Sequence, residues 1–179
     1  MFYTIGHSTR SIQEFLELLR EHSIGRLIDV RTVPRSRTNP QFNRETLPIT
    51  LREAGIEWEH APALGGLRRA KPDSPNTGWR NANFRGYADH MASAEFQDAL
   101  DRVVETGRSE NVALMCAEAV PWRCHRSLIA DALLARGFEV TEIMGRGKSR
   151  PHKMTPFAEV ENGRVTYPGD GARETQNPG

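Results

Sequence analysis

The sequence predicts an α/β domain in three layers, a mainly parallel sheet flanked by helices, with a hairpin added near the C-terminal end. Three observations lead there. Short strand-like runs alternate with amphipathic helical runs, the pattern of a parallel sheet with crossover helices. One run, Val112-Ala113-Leu114-Met115-Cys116, is apolar throughout, as a central strand covered on both faces must be. The 179 residues suffice for one substantial core and would leave two thin ones. The reading is therefore a single domain over residues 1–167 and a flexible tail over 168–179.

Phe2-Tyr3-Thr4-Ile5 reads as the first strand and Gly6 to Arg10 as the turn leaving it. Ser11 with Glu14 three residues on gives a capping-box signal, and Ile12, Phe15, Leu16 and Leu19 supply one apolar helical face. Leu27 to Val30 forms the second strand, entered through Gly25, so the first unit is strand, helix, strand with a right-handed crossover. A polar loop from Arg31 to Asn43 leads to a helix near Glu45 to Ala54 that Pro48 begins or kinks. Ile56 to His60 is the third strand. Pro62 to Arg80, rich in Gly, Pro, Asn and charge, is long for a plain connection. A helix after Ser93 follows, resting on Phe96, Leu100, Val103 and Val104. After the apolar Val112 strand, a helix opens near Cys124, buries Leu128, Ile129, Ala132 and Leu133, and stops at Gly137. Phe138 to Ile143 is the last core strand, and Asn162-Gly163 marks a hairpin turn between Val160 and Val165.

No run of eighteen apolar residues occurs and the N-terminus lacks a basic region followed by an apolar segment, so a cytoplasmic protein without membrane contact is expected. Two cysteines, Cys116 and Cys124, are too few for a disulfide framework. The net charge of +1, from 24 basic and 23 acidic residues, gives little general attraction for nucleic acid. Basic residues nevertheless cluster locally. Arg31, Arg35, Arg37 and Arg44 share a stretch without acids, and Gly145 to Arg150 offers a further basic run that does not match a phosphate-binding loop. Nothing in these residues speaks to oligomeric state.

In a parallel sheet the carboxyl ends of the strands open onto one edge, where ligands collect. That arrangement gathers His7 and Ser8, Asp29 and Arg31, and Cys116 and Glu118 around a shared cleft. Cys124-His125-Arg126 sits where a helix begins. Exposed N–H groups and two potentially cationic neighbours there favour a thiolate or a bound anion. The spacing also lets Cys116 approach Cys124, giving either a nucleophile with a resolving thiol or a pair of metal ligands. Plainer readings stand beside these. Cys116 can be core, His7 and Ser8 a capped turn, and Asp29 a buried acceptor that fixes Arg31. The dinucleotide, metalloprotease and serine-hydrolase signatures are absent.

Thr4-Ile5-Gly6-His7-Ser8, Leu27 to Arg31 with Pro34 and Ser36, Phe42, Leu64-Gly65-Gly66, Cys116 with Glu118, Cys124-His125-Arg126 and Gly163 to Tyr167 occur in order. Together they resemble the domain-of-unknown-function family DUF488. The resemblance spans nearly the whole chain up to Pro168 and implies a single domain; it implies no reaction. More distantly, Asp29-Val30-Arg31, the strand ending at Cys116, and Arg126-Ser127 are similar to the sulfur-transfer domains called rhodaneses. Cys116 lies too far from Arg126 for their compact loop, and their Gly-rich portion is missing.

The leading expectation is a cysteine-dependent enzyme acting on a small anionic or phosphate-bearing substrate. Cys116 or Cys124 is the nucleophile, His125 and Glu118 move protons, and Arg31 and Arg126 hold negative charge. His7, Ser8 and Asp29 complete the anion-binding side. A second expectation is a zinc- or iron-dependent protein using Cys116, Cys124, His125, Glu118 and His7. A third is a nucleic-acid module in which the arginine-rich loops act beside Trp79, Phe84, Tyr87 and Trp122.

Overall fold

The computed structural model describes residues 1–170. Its elements run β1 (Phe2–Gly6), α1 (Ile12–Glu21), β2 (Arg26–Asp29), α2 (Leu47–Glu53), β3 (Glu57–His60), α3 (Ala82–Met91), α4 (Ala94–Ser109), β4 (Val112–Cys116), α5 (Arg126–Ala135), β5 (Val140–Gly145), β6 (Lys148–Pro151), β7 (Glu159–Glu161) and β8 (Arg164–Thr166). One sheet has the order β3-β2-β4-β1-β5-β6, parallel except for the antiparallel edge strand β6. β7 and β8 form the C-terminal hairpin, with Asn162 and Gly163 both at positive φ (51° and 74°) as its tight turn requires. The expected α/β architecture is the observed one.

The two-residue period of β4 divides the core. Val112, Leu114 and Cys116 face the layer of α3, α4 and α5, while Ala113 and Met115 face the layer of α1 and α2. β1 sends its chain through α1 to β2 on one side of the sheet. β4 sends its chain through α5 to β5 on the other side, so right-handed crossovers place the two helices on opposite faces. In α1 the Ser11 hydroxyl accepts from the Glu14 amide at 3.1 Å. The reciprocal half of the capping box does not form, because Arg10 takes the Glu14 carboxylate at 2.8 Å. Phe15, Leu18 and Leu19 are then fully buried, each stabilising by roughly 2 kcal/mol.

Two regions differ from the sequence reading. Residues 82–91 form α3, where the sequence pattern predicts no element. Phe84, Tyr87, Ala88 and Met91 do recur at helical spacing behind an Asn81 cap. Gly86 in the middle and the buried Asp89 blur that signal, and both have structural reasons: a Cβ on Gly86 would lie 2.1 Å from the Arg68 carbonyl oxygen, and Asp89 accepts from the Lys71 amide, Ser74 and Asn76. The basic run Gly145 to Arg150 turns through Gly147 (φ 61°) into β6. Its arginines face carboxylates, Arg146 with Glu17 and Arg150 with Glu142. Of the tail expected over 168–179, residues 171–179 lie outside the described residues, and the Gly169 amide donates to Thr77 Oγ1 at 3.0 Å. Among the described residues no helix is long and apolar enough to cross a membrane.

A buried polar knot ties α5 to the segment after β6. His152 bridges Asp131 and Glu142 at 2.8 Å each, and Thr155 and Tyr167 also donate to Asp131. Burial pushes the imidazole pKa down, but the hydrogen bonds and charges of Asp131 and Glu142 outweigh it and raise it to about 9. The folded value lies above the ordinary 6.5. This stabilisation is therefore complete below about pH 6.5 and is lost as pH rises through about 9, on the order of 3 kcal/mol at most. Urea unfolding followed from about pH 6 to about pH 10 is expected to show stability falling over that window, and His152→Gln should flatten the fall.

Candidate functional site

Three strand ends meet at the carboxyl edge of the sheet because β4 lies between β1 and β2. The ladder continues beyond them. The His7, Ser8 and Val30 amides donate to the Cys116, Ala117 and Met115 carbonyls at 2.9, 3.0 and 2.9 Å. Gly6 lies beneath the chain that leaves β4, where a Cβ would stand 1.9 Å from the Glu118 carbonyl oxygen. Its missing side chain lets residues 117–119 fold back over the end of β1. A 3-10 turn at Pro121–Arg123 then delivers Cys124 and His125 to the start of α5.

The thiol centre is assembled there. Arg126 is fully buried (0 % exposed), and its Nη1 lies 2.6 Å from Cys116 Sγ and 2.5 Å from the Glu118 carbonyl oxygen. Nη2 donates to the Ala119 carbonyl at 3.1 Å, and Nε has no partner among the described residues. Cys124 Sγ lies 2.7 Å from Cys116 Sγ, and both cysteines carry free thiols, 3 % and 6 % exposed. Burial alone would push the Cys116 thiol up. The hydrogen bond from Cys124, the Arg126 charge and the direct Arg126 contact outweigh it, leaving Cys116 lowered to about 7. Cys124 moves up, first because it gives its hydrogen bond to Cys116, then through burial and the neighbouring thiolate charge. One sulfur therefore ionises while the other keeps its proton.

His125 serves the second sulfur. Its Nε2 donates to the Val30 carbonyl at 3.0 Å, which leaves Nδ1 as an acceptor 3.6 Å from Cys124 Sγ. Burial first, and the Arg126 charge as well, lower its pKa to about 4. It is a neutral imidazole at physiological pH, so of the two cationic neighbours expected at this helix start only Arg126 carries charge. Gly66 makes room for the ring, since a Cβ there would lie 3.1 Å from His125 Nδ1.

The arginine side is equally constrained. Arg31 gives Nε and Nη2 to the two oxygens of Asp29 at 2.9 and 2.6 Å, and Nη2 also donates to the Phe42 carbonyl at 2.7 Å. Its Nη1 is 3.4 Å from His7 Nε2. His7 donates from Nδ1 to the Ser8 carbonyl at 2.8 Å, stacks on Phe42 at 4.3 Å, and is lowered to about 4 by burial and the Arg31 charge. Neutral His7 thus accepts from Arg31. Ser8 takes part through its backbone at φ 48°, in the left-handed region.

A cavity of about 470 Å³ opens over the thiols. Cys116, Glu118, Cys124, His125 and Arg31 line it, together with Arg35, Arg123, Phe84, Tyr87 and Leu67. Asp29, His7 and Ser8 stand behind this wall, and Arg126 lies beneath Cys116, turned to the sulfur. The Glu118 carboxylate accepts from the Val120 amide at 3.1 Å, and its carbonyl, not its side chain, meets Arg126. Arg35 and Arg123 are exposed and pair with no carboxylate among the described residues.

The profile described as "Domain of unknown function DUF488" matches residues 11–133. The chain belongs to that family. No curated protein and no solved structure matches it. The DUF488 match takes in Asp29, Arg31, both cysteines, His125 and Arg126, and ends within α5; His7 and Ser8 precede it.

The sequence reading missed Arg123 and Leu67, and named Tyr87 only as a stacking residue for nucleic acid, not as cavity lining. Leu67 holds φ 61° while 84 % exposed on the cavity rim, which nothing in the residue type announces. Tyr87 sits on the helix that the reading left out and donates to the Leu64 carbonyl at 2.8 Å. Among the described residues no three His, Cys, Asp or Glu side chains are grouped to hold a metal ion. A guanidinium 2.6 Å from Cys116 also occupies the approach a cation would need. Trp79 packs on Phe84, Phe157 and Tyr167, Tyr87 is buried, and only Trp122 of the four expected stacking residues is exposed (57 %), with Arg150 5.0 Å from its ring centre. Replacing Arg126 with Met is expected to raise the midpoint pH for alkylation of Cys116 by roughly a unit or more, about 1.4 kcal/mol per unit. Arg126→Lys, which keeps the charge without the fork, should fall between; the check is the rate of iodoacetamide labelling against pH.

Proposed function

We propose that this DUF488 protein is a cysteine-dependent enzyme acting on a small anionic substrate, with Cys116 as its nucleophile. The observation that carries the reading is the Cys116 sulfur held 2.6 Å from a buried guanidinium at the floor of a cavity lined by three further arginines. The thiolate is the nucleophilic form of cysteine, and one titrating near 7 is present in quantity at neutral pH. Arg31, Arg35 and Arg123 suit an anion above it. Arg31 is the prealigned member, because Asp29 and His7 fix its plane. A bound anion gains from a guanidinium that loses little side-chain freedom on contact.

Of the two parts expected for Arg126, favouring a thiolate or binding an anion, its placement supports the first: it contacts Cys116 and does not line the cavity. The metal reading has the same two thiols, but among the described residues no third His, Cys, Asp or Glu is grouped with them to hold an ion. Sulfur transfer in the manner of rhodaneses would use the same thiolate, though the stretch from Cys116 to Arg126 is longer than their loop. The nucleic-acid reading keeps Trp122 and the exposed arginines.

Labelling with iodoacetamide should reach half its limiting rate near pH 7, disappear in Cys116→Ser, and persist in Cys124→Ala with a higher midpoint, since the Cys124 hydrogen bond is gone. Inorganic phosphate should slow labelling of the wild type, and Arg31→Met should weaken that protection several-fold. Labelling confined to Cys124, or indifferent to phosphate, contradicts the proposal.

A further inference from the structure

We infer that the substrate is a small anionic disulfide, attacked at sulfur by Cys116 and released when Cys124 closes an internal disulfide. This rests on Cys116 being the nucleophile. The second thiol carries the argument. Cys124 Sγ stands 2.7 Å from Cys116 Sγ, in reach of that sulfur once it is held in a mixed disulfide. In acyl or phosphoryl transfer that thiol has no task, and the imidazole beside the pair, His125, points its free nitrogen at Cys124 and not at Cys116. An electrophilic sulfur gives both groups work. A hydroperoxide would also suit two thiols, but it needs neither about 470 Å³ nor three arginines.

The steps balance. The Cys116 thiolate attacks one sulfur of the disulfide; the Cys116–substrate S–S bond forms, the substrate S–S bond breaks, and one thiolate leaves. Cys124 gives its proton to His125 Nδ1, attacks Cys116 Sγ, and expels the second thiolate, which recovers the proton. The protein dithiol is oxidised and the substrate disulfide reduced, two electrons in each direction.

The order of events is built into the pair. While Cys116 is a thiolate, it accepts the Cys124 proton and repels a second negative charge, the first and third causes that hold Cys124 up. Once Cys116 is in a mixed disulfide, both are gone and Arg126 has lost its anion. The Arg126 charge, which lowers Cys124 throughout, is then free to favour a thiolate there. Cys124 becomes a nucleophile only after Cys116 has reacted.

The test uses the fully reduced chain, glutathione disulfide as an anionic probe and cystamine as a cationic one, with acid quench and mass spectrometry. The wild type should release two equivalents of glutathione and retain a Cys116–Cys124 disulfide. Cys124→Ala should stop with one glutathione on Cys116, and Cys116→Ala should form no adduct there. Glutathione disulfide should react on the order of 10-fold faster than cystamine at low salt, a preference that shrinks in the Arg35→Met, Arg123→Met double variant. If Cys124→Ala fails to fold, the wild-type stoichiometry decides alone. A wild type that labels with iodoacetamide near pH 7 yet stops at a mixed disulfide, or does not exchange, overturns this inference and leaves the nucleophile standing. Equal rates for the two probes overturn the anionic class. A chain that neither labels nor exchanges at neutral pH overturns the nucleophile itself.

Discussion

A guanidinium with no exposed surface needs a counter-charge, and for Arg126 the structure supplies sulfur. Among the described residues no carboxylate pairs with it. Its neighbours are two carbonyl oxygens and Cys116. Carbonyls satisfy its protons without cancelling its charge. Leaving a buried cation uncompensated costs several kcal/mol, and among the described residues a Cys116 thiolate is the ionisable group in contact that removes the cost. The same pairing that makes Arg126 tolerable in the core lowers the Cys116 pKa, so the reactivity proposed for that sulfur would follow from an electrostatic requirement of the fold.

That requirement is met only because several small features let the chain after β4 fold back. Gly6 accepts the Glu118 carbonyl above it, Gly66 leaves space for the His125 ring, and the ladder beyond β4 ties His7, Ser8 and Val30 to the same edge. Parallel strand order then does the rest, bringing residues more than a hundred positions apart in sequence to one recess. Asp29 and His7 play for Arg31 the part that the loop carbonyls play for Arg126. They hold it still, one by a two-point ion pair and the other by accepting from Nη1.

Much of this was legible beforehand. Apolar periodicity identifies β4 and the helix that follows it, and the rule that strand ends converge gathers His7, Asp29, Arg31 and Cys116. Cysteine, histidine and arginine in succession marked the helix start. What escaped was directional. A sequence shows that Arg126 is basic, not that its guanidinium turns inward to a sulfur; it shows that His125 is titratable, not that burial leaves it neutral and bonded to Val30. Helix α3 was missed for a related reason. Gly86 and Asp89, which weaken its apolar pattern, are there to receive the backbone of residues 68–70 and to hold the 71–76 loop, and such tertiary demands leave no periodic trace. Arg123 and Leu67 line the cavity from loops, where spacing carries little information.

The pairing of Cys116 with Arg126 can be observed without any substrate by following the Cβ resonances of the two cysteines by NMR as pH is varied. The expected result is an inflection near pH 7 at Cys116, with Cys124 still protonated well above that pH and His125 neutral throughout. If Cys124 loses its proton first, or if Cys116 titrates in the ordinary range for a free cysteine, then the buried guanidinium does not hold a thiolate and the account of the site is wrong.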